Sequence, residues 1–278
     1  MKTIFDQVSL RTSRQLTRTY STSFSLAIRF LDRKIQAPVY AVYGFVRLAD
    51  EIVDSFHDYD KAELLAGFRR DTFLALDRGI SVNPVLNSFQ EAANRYKIDR
   101  ELIGAFLDSM EMDLHKQRYS QVEYEKYILG SAETVGLMCL HIFTDADKAL
   151  YENLKPQAMK LGSAFQKINF LRDLCSDYNT LGRTYFPGTD IRTWDEATKR
   201  RVEEDIRADF SAAFDGILKL PRRSRFGVYV AYMYYYSLFR KIRSVPAQRV
   251  LQERIRIPNG RKYALFLGSY LRHSFNLL

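Results

Sequence analysis

PVYAVYGFVRLADEIVDSF, residues 38–56, decides the class of the fold. Wound as a helix at about 100° per residue, it places Tyr43, Arg47, Asp50 and Asp54 on one face, while Val42, Phe45, Val46, Leu48, Ala49, Ile52 and Val53 fill most of the rest. A helix that is apolar nearly all round is normally buried, so this one carries an acidic stripe into the interior. LGSAFQKINFLRDLCSDY, residues 161–178, repeats the arrangement with Gln166, Asn169, Asp173 and Asp177 on one face. Lys167 and Arg172 interrupt its apolar surround, and the pattern alone leaves its burial open.

A carboxylate in apolar surroundings is costly unless it is paired or bound to a metal, and carboxylates at i and i+4 repel each other. A divalent cation relieves both costs. Aspartate oxygens and one asparagine carbonyl suit Mg²⁺, with Mn²⁺ as the alternative. Two such stripes facing each other would hold a small metal cluster and a phosphorylated ligand. The basic residues near them, Arg47, Arg172 and Arg183, would meet the phosphate oxygens that the metals leave free. The competing reading makes both stripes solvated faces, with Arg47 and Lys167 in surface ion pairs.

Outward from these helices, the helical period runs through nearly all of the 278 residues. It predicts helices near 3–18, 21–31, 38–56, 61–78, 84–95, 99–117, 121–143, 146–178, 195–217, 222–244 and 260–276, with Pro156 a candidate break inside the long one. Only 13 Gly and 7 Pro interrupt the chain, and no stretch alternates like a set of strands. The expectation is an all-α protein in which residues 1–278 form one domain. Aromatic residues are abundant, with 18 Tyr and 19 Phe; they serve either as core filling or as the lining of a pocket for something large and apolar.

The net charge of +9 suits phosphorylated ligands or an anionic surface. Its densest region comprises Arg240, Lys241, Arg243, Arg249, Arg254, Arg256, Arg261 and Lys262, which fits either a solvated face or lipid headgroups. No nucleic-acid motif accompanies the charge. Cys139 and Cys175 form no C-x-x-C pair and fit a reducing compartment. The polar start lacks the apolar core of a signal peptide, and the longest apolar run, Val228 to Phe239, is too short to span a bilayer. The expected location is the cytoplasm, with peripheral contact at the inner face of the membrane. The four histidines show no zinc spacing, and no Ser-His-Asp arrangement offers a nucleophile.

RLADEIVD (47–54) and QKINFLRDLCSD (166–177) resemble the paired aspartate-rich motifs of the squalene/phytoene synthase family. YSTSFSLA (20–27), MDLHKQRY (112–119), ETVGLM (133–138) and GRTYFP (182–187) resemble further blocks in the family's order, and the likeness is strongest to bacterial phytoene synthases. The resemblance implies an α-helical isoprenoid synthase fold with a central cavity. It makes Asp50, Asp54, Asn169, Asp173 and Asp177 the metal ligands, the four aspartates being the catalytic set. Ser21, Ser23, Tyr43, Arg47, Gln166 and Arg172 match positions that hold substrate diphosphates. Phe24 and Tyr127 match positions lining the hydrocarbon cavity, and Tyr235 is a weaker match for a substrate-contacting tyrosine. Where the family often shows a tyrosine, a glycine and acidic residues, this chain has Leu129, Glu133, and Arg240 with Lys241.

The implied reaction joins two geranylgeranyl diphosphates head to head on Mg²⁺, through a cyclopropyl diphosphate, to phytoene, without NADPH. The neighbouring alternative is dehydrosqualene or squalene formation from farnesyl diphosphate. From a different class comes a non-catalytic helical assembly protein of the same fold. Released diphosphate and a tyrosine hydroxyl are both candidates for the general base.

Overall fold

A computed structural model describes residues 1–115, 119–181, 184–189 and 193–257, with 179–181 as backbone alone. The described residues form twelve α-helices and no β-strand, in agreement with the all-α expectation. In chain order they are α1 (Lys2–Tyr20), α2 (Thr22–Arg29), α3 (Arg33–Ser55), α4 (Lys61–Arg78), α5 (Pro84–Tyr96), α6 (Arg100–His115), α7 (Gln121–Ile128), α8 (Thr134–Thr144), α9 (Lys148–Leu181), α10 (Glu196–Lys219), α11 (Arg222–Arg243) and α12 (Ala247–Gln252). The segment expected to be helical near 260–276, with Arg261 and Lys262, lies outside the described residues, as does Arg183.

Local chemistry explains where the helices differ from expectation. α3 begins five residues before Pro38, because the Asp32 side chain accepts a hydrogen bond from the Lys34 N–H at 2.8 Å and caps the helix there. α9 runs unbroken through Pro156, packed against both α8 and α10. Between α7 and α8 the chain continues as a π-helical turn, Leu129–Glu133. Gly130 lies in it, where a Cβ would stand 2.5 Å from the Ala105 carbonyl oxygen; glycine lets α6 pass at that distance. The stretch Gln121–Thr144 is long and apolar enough to cross a bilayer, although polar residues interrupt its apolar run. Its apolar window is 61% buried against neighbouring helices, as a core segment would be.

Two apolar cores flank that central segment. One is built around Phe45, whose ring stacks on Phe89 at 3.9 Å and also meets Phe68 and Phe106, joining α3, α4, α5 and α6. The other gathers residues of α7, α9, α10 and α11 around Phe170, Phe210 and Phe239. α8 serves both, with Leu137 and Leu140 in the second and Met138 and Ile142 in the first.

Candidate active site

α3 and α9 meet across a cavity of about 510 Å³. Along both helices the lining changes in the same direction. On α3 it runs from Val39 and Val42 through Tyr43 and Arg47 to Asp50; on α9 it runs from Leu154 and Ala158 through Phe165 and Gln166 to Asn169 and Arg172. The cavity therefore has a charged mouth and a largely apolar floor, in which Gln157 on α9 is the polar exception. The segments around its lower part approach closely at glycines: a Cβ at Gly162 would stand 2.6 Å from the Ala132 carbonyl oxygen, and one at Gly216 2.4 Å from the Gln157 side chain.

Four aromatic rings form a collar below the mouth. Phe24 lies 5.8 Å from Tyr43 and 5.7 Å from Tyr235, between ring centroids, and Phe165 stacks on Tyr235 at 4.0 Å. The Tyr235 hydroxyl donates to Asn169 Oδ1 at 3.4 Å, and Asn169 Nδ2 donates to Gln166 Oε1 at 3.4 Å. Burial raises the pKa of Tyr43 although a hydrogen bond with Ser21 opposes it. Such rings can stabilise a cation held between them.

The carboxylates of the first stripe are in tension. Burial pushes the Asp50 carboxyl up to about 7, the charge of Asp54 adds to the shift, Arg47 opposes it from 3.8 Å, and Asp113 on α6 raises it further. A third of the Asp50 side chain is accessible (33%), and Asp50 belongs to the cavity wall. A buried group surrounded by like charge is where a cation binds. Arg47 is held by Glu51 and lies over the Tyr20 ring, 4.2 Å from its centroid.

In the second stripe Asp173 is already neutralised. Asp173 takes bidentate bonds from two guanidinium groups: Arg172 at 2.9 and 2.5 Å, and Arg254 at 2.6 and 3.1 Å. Among the described residues no three His, Cys, Asp or Glu side chains converge as a preformed metal cage. Mg²⁺ commonly uses only one or two protein carboxylates and completes its shell with water and phosphate, and the crowded Asp50–Asp54 pair fits that demand. Asp173 would have to exchange an arginine for a metal.

Of the residues singled out by sequence, Ser21, Phe24, Tyr43, Arg47, Asp50, Tyr127, Gln166, Asn169, Arg172 and Tyr235 line the cavity. Asp54, Asp173 and Asp177 are half-buried just beyond its wall, and Ser23 is half-buried on α2 without forming part of it. Lys167 points away from the cavity toward α10, where it is buried against Asp209 at 2.7 Å and Asp205 at 2.5 Å. It is not a surface ion pair, and that face of α9 is buried despite its charge.

Leu129 is 40% exposed and not in the cavity wall; Glu133 is half-buried, and Arg240 is exposed. Lys241 donates to the Arg256 carbonyl at 2.5 Å, which fixes the segment carrying Arg254. The residues missed by the sequence reading are Arg254, Phe165 and Asp113. Phe165 shared a face with Asn169 and Arg172 and was legible by spacing, and Asp113 lay unremarked inside MDLHKQRY.

The chain matches the squalene/phytoene synthase family model over residues 17–261. It is 30% identical to presqualene diphosphate synthase of Rhodopseudomonas palustris over 238 residues, covering 78% of this chain and 82% of that protein. It is 28% identical to 4,4'-diapophytoene synthase of Staphylococcus haemolyticus over 210 residues, 70% of this chain and 68% of the relative. In fold it is similar to a dehydrosqualene synthase crystallised with a ligand, with a TM-score of 0.83 at 22% identity over 96% of this chain and 98% of the other. That likeness supports the all-α isoprenoid synthase fold. With most of its length matched by the family model, the chain belongs to the squalene/phytoene synthase family.

Proposed function

We propose that the chain condenses two geranylgeranyl diphosphates head to head, through a cyclopropyl diphosphate, to phytoene. The observation that carries this reading is the cavity graded from a charged mouth to an apolar floor. Its depth supports the twenty-carbon substrate. From Gln166, at the charged end on α9, to Leu154 at the floor is a helical rise of about 18 Å, with Gln157 the one polar side chain of α9 along it. An extended isoprenoid unit adds four chain bonds, about 4.7 Å by the geometry that gives three backbone bonds ~3.5 Å. Four units reach about 19 Å and three about 14 Å on the same geometry, so a fifteen-carbon chain leaves the floor unfilled.

Asp50 and Asp54, with Asn169, Asp173 and Asp177 opposite, would hold Mg²⁺ or Mn²⁺, which when bound supplies Lewis acidity toward the diphosphate leaving group. Arg47, Arg172 and Arg254 reach the mouth and meet the remaining diphosphate oxygens. Phe24, Tyr43, Phe165 and Tyr235 face the allylic cation, and the apolar wall below excludes water that would quench it. No NADPH enters this reaction. The location proposed is cytoplasmic, with the basic surface around Arg240–Arg256 touching anionic lipid.

Use of farnesyl diphosphate is the second reading, favoured by relatives named for dehydrosqualene and diapophytoene synthesis. Competition between the two diphosphates over one preparation separates them. The kcat/KM ratio is expected to favour geranylgeranyl diphosphate by at least about tenfold, since each unfilled methylene in a hydrophobic pocket is already worth that order. A ratio near one or below moves the protein to the fifteen-carbon branch.

A further inference from the structure

The polarity of α1 is turned inside out. Against the rest of the molecule it presents Ser9, Ser13 and Thr17, all three buried. Ser13 Oγ shares a 2.7 Å hydrogen bond with Ser88 Oγ, and Asn87 Nδ2 donates to Ser9 Oγ at 3.1 Å. The contact with α3 is close: a Cβ on Gly44 would stand 2.7 Å from Ser13 Oγ. Apolar side chains lie outside instead, with Ile4 66% and Val8 44% exposed. Scattered exposed apolar residues are ordinary on a protein surface, so these two carry no meaning without their neighbours.

The neighbours are cations. Ile4, Val8, Arg11, Gln15 and Arg18 are all exposed, and their spacing puts them on one face of the helix over a rise of about 21 Å. Arg14 is exposed beside them. Among the described residues no ion pair holds Arg11 or Arg18. The one acid of α1, Asp6, is taken up elsewhere: it accepts from Asn87 Nδ2 at 3.0 Å and pairs with Lys2. The outer face is thus apolar at one end, cationic at the other and without a carboxylate. That combination complements an anionic lipid surface, where arginines meet headgroup phosphates and apolar side chains enter beside them. A nucleic acid would use the charge and leave Ile4 and Val8 in water. A second copy of the same face would set cation against cation.

We propose that the outer face of α1 docks the protein on an anionic bilayer, with Ile4 and Val8 entering the headgroup layer and Arg11 and Arg18 meeting lipid phosphates. The helix leads from that face to the site. A groove of about 450 Å³ follows it from Val8 through Leu16 to Tyr20. Tyr20 also belongs to the cavity wall, with the Arg47 guanidinium over its ring. Docking through α1 therefore keeps the cavity mouth within one helix length of the bilayer. The contact adds to the one proposed for Arg240–Arg256, and it supplies what charge alone lacks. Binding at a lipid surface grows with buried apolar area as well as with attraction to anionic headgroups. An isoprenoid diphosphate, with its long apolar chain, resides at the same surface; that benefit rests on the proposed reaction, whereas the docking does not.

The test is co-sedimentation of the full chain, without substrate, with vesicles of phosphatidylglycerol and phosphatidylcholine in equal parts and with vesicles of phosphatidylcholine alone. The unaltered protein is expected to bind the anionic vesicles at least about tenfold more tightly. Ile4→Asp with Val8→Asp should weaken that binding by at least about tenfold. Arg11→Gln with Arg18→Gln should weaken it by about fivefold for each arginine. All four positions are exposed, so both pairs should melt with the unaltered protein, which separates lost docking from lost folding. Failure of the unaltered protein to bind anionic vesicles overturns the proposal. Equal binding by the aspartate pair also overturns it and leaves the contact to Arg240–Arg256. A dimer in solution that the aspartate pair converts to monomer, with vesicle binding unchanged, would overturn it in favour of a second copy on this face. Because no substrate is present, none of these outcomes bears on the proposed condensation, and failure of the condensation would leave this readout intact.

Discussion

Asp50→Asn is expected to reduce turnover by about 10³-fold while making the metal-free protein more stable above neutral pH. The loss of activity follows from removing a charge that holds the cation opposite the leaving group, where one misplaced electrostatic partner typically costs about 10²–10³ in rate. The gain in stability follows from the position of the carboxyl. Its pKa is 3.8 when unperturbed and about 7 in the folded chain. Below the lower value both states hold the proton, and the group contributes nothing. Between the two the unfolded chain ionises first, so stability falls as pH rises; above about 7 the full cost is present. The shift would correspond to about 4 kcal/mol if the group were sealed from solvent. With a third of the side chain accessible, about 1–2 kcal/mol is the expected gain. Thermal unfolding in chelator should show Asp50→Asn melting above the unaltered protein at pH 8 and level with it at pH 4. A lower melting point at pH 8 would mean that Asp50 is not held in a repulsive cluster.

Asp209→Ala should be the most destabilising single change on the α9–α10 interface. Asp209 is 2% exposed and accepts from Ser163 at 2.7 Å, Lys167 at 2.7 Å and Lys160 at 2.9 Å. Burial alone would raise its pKa, but its bonds to Lys167, Lys160 and Ser163 hold it below the usual carboxylate range. Its contribution is therefore present above the unfolded value and lost as pH falls through the folded one. Removing it strands Lys167, which is 7% exposed. Breaking a buried pair in this way costs about 3–5 kcal/mol, and the remaining bond from Lys167 to Asp205 puts the expectation near the lower figure. Replacing both partners together, as Lys167→Met with Asp209→Leu, should recover most of the loss. Equal destabilisation by the single and double changes would contradict this account of the interface.

Much of the fold was legible because caps and breakers sit where the period ends. α4 occupies 61–78 as expected: Asp60 accepts from the Glu63 N–H at one end, and Gly79, at φ 67, closes the other. α3 starts earlier than the predicted 38 because Asp32 caps it, and a single cap residue outside the apolar period is weak in sequence. The short α12 was missed because a helix of 6 residues shows too little of its period to be recognised.

In the site, the two faces were legible because i, i+4 and i+7 positions must share a face: Tyr43, Arg47 and Asp50 of one and Gln166 and Asn169 of the other line one cavity, while Asp54, Asp173 and Asp177 stand beyond its wall. What spacing cannot show is a partner from a remote segment. Arg254 reaches Asp173 across 81 positions of sequence, and Lys167 finds Asp209 across 42. Lys167 also shows why a charge on an apolar helix was ambiguous: period alone does not reveal that α10 supplies the counter-charge.

The central claim is tested most directly by incubating the purified protein with geranylgeranyl diphosphate, with Mg²⁺ or with chelator and without NADPH, and weighing the extracted hydrocarbons. A forty-carbon triene that requires the metal is the predicted result. Absence of any coupled product from geranylgeranyl diphosphate, with a thirty-carbon product from farnesyl diphosphate in a parallel tube or none at all, would contradict it.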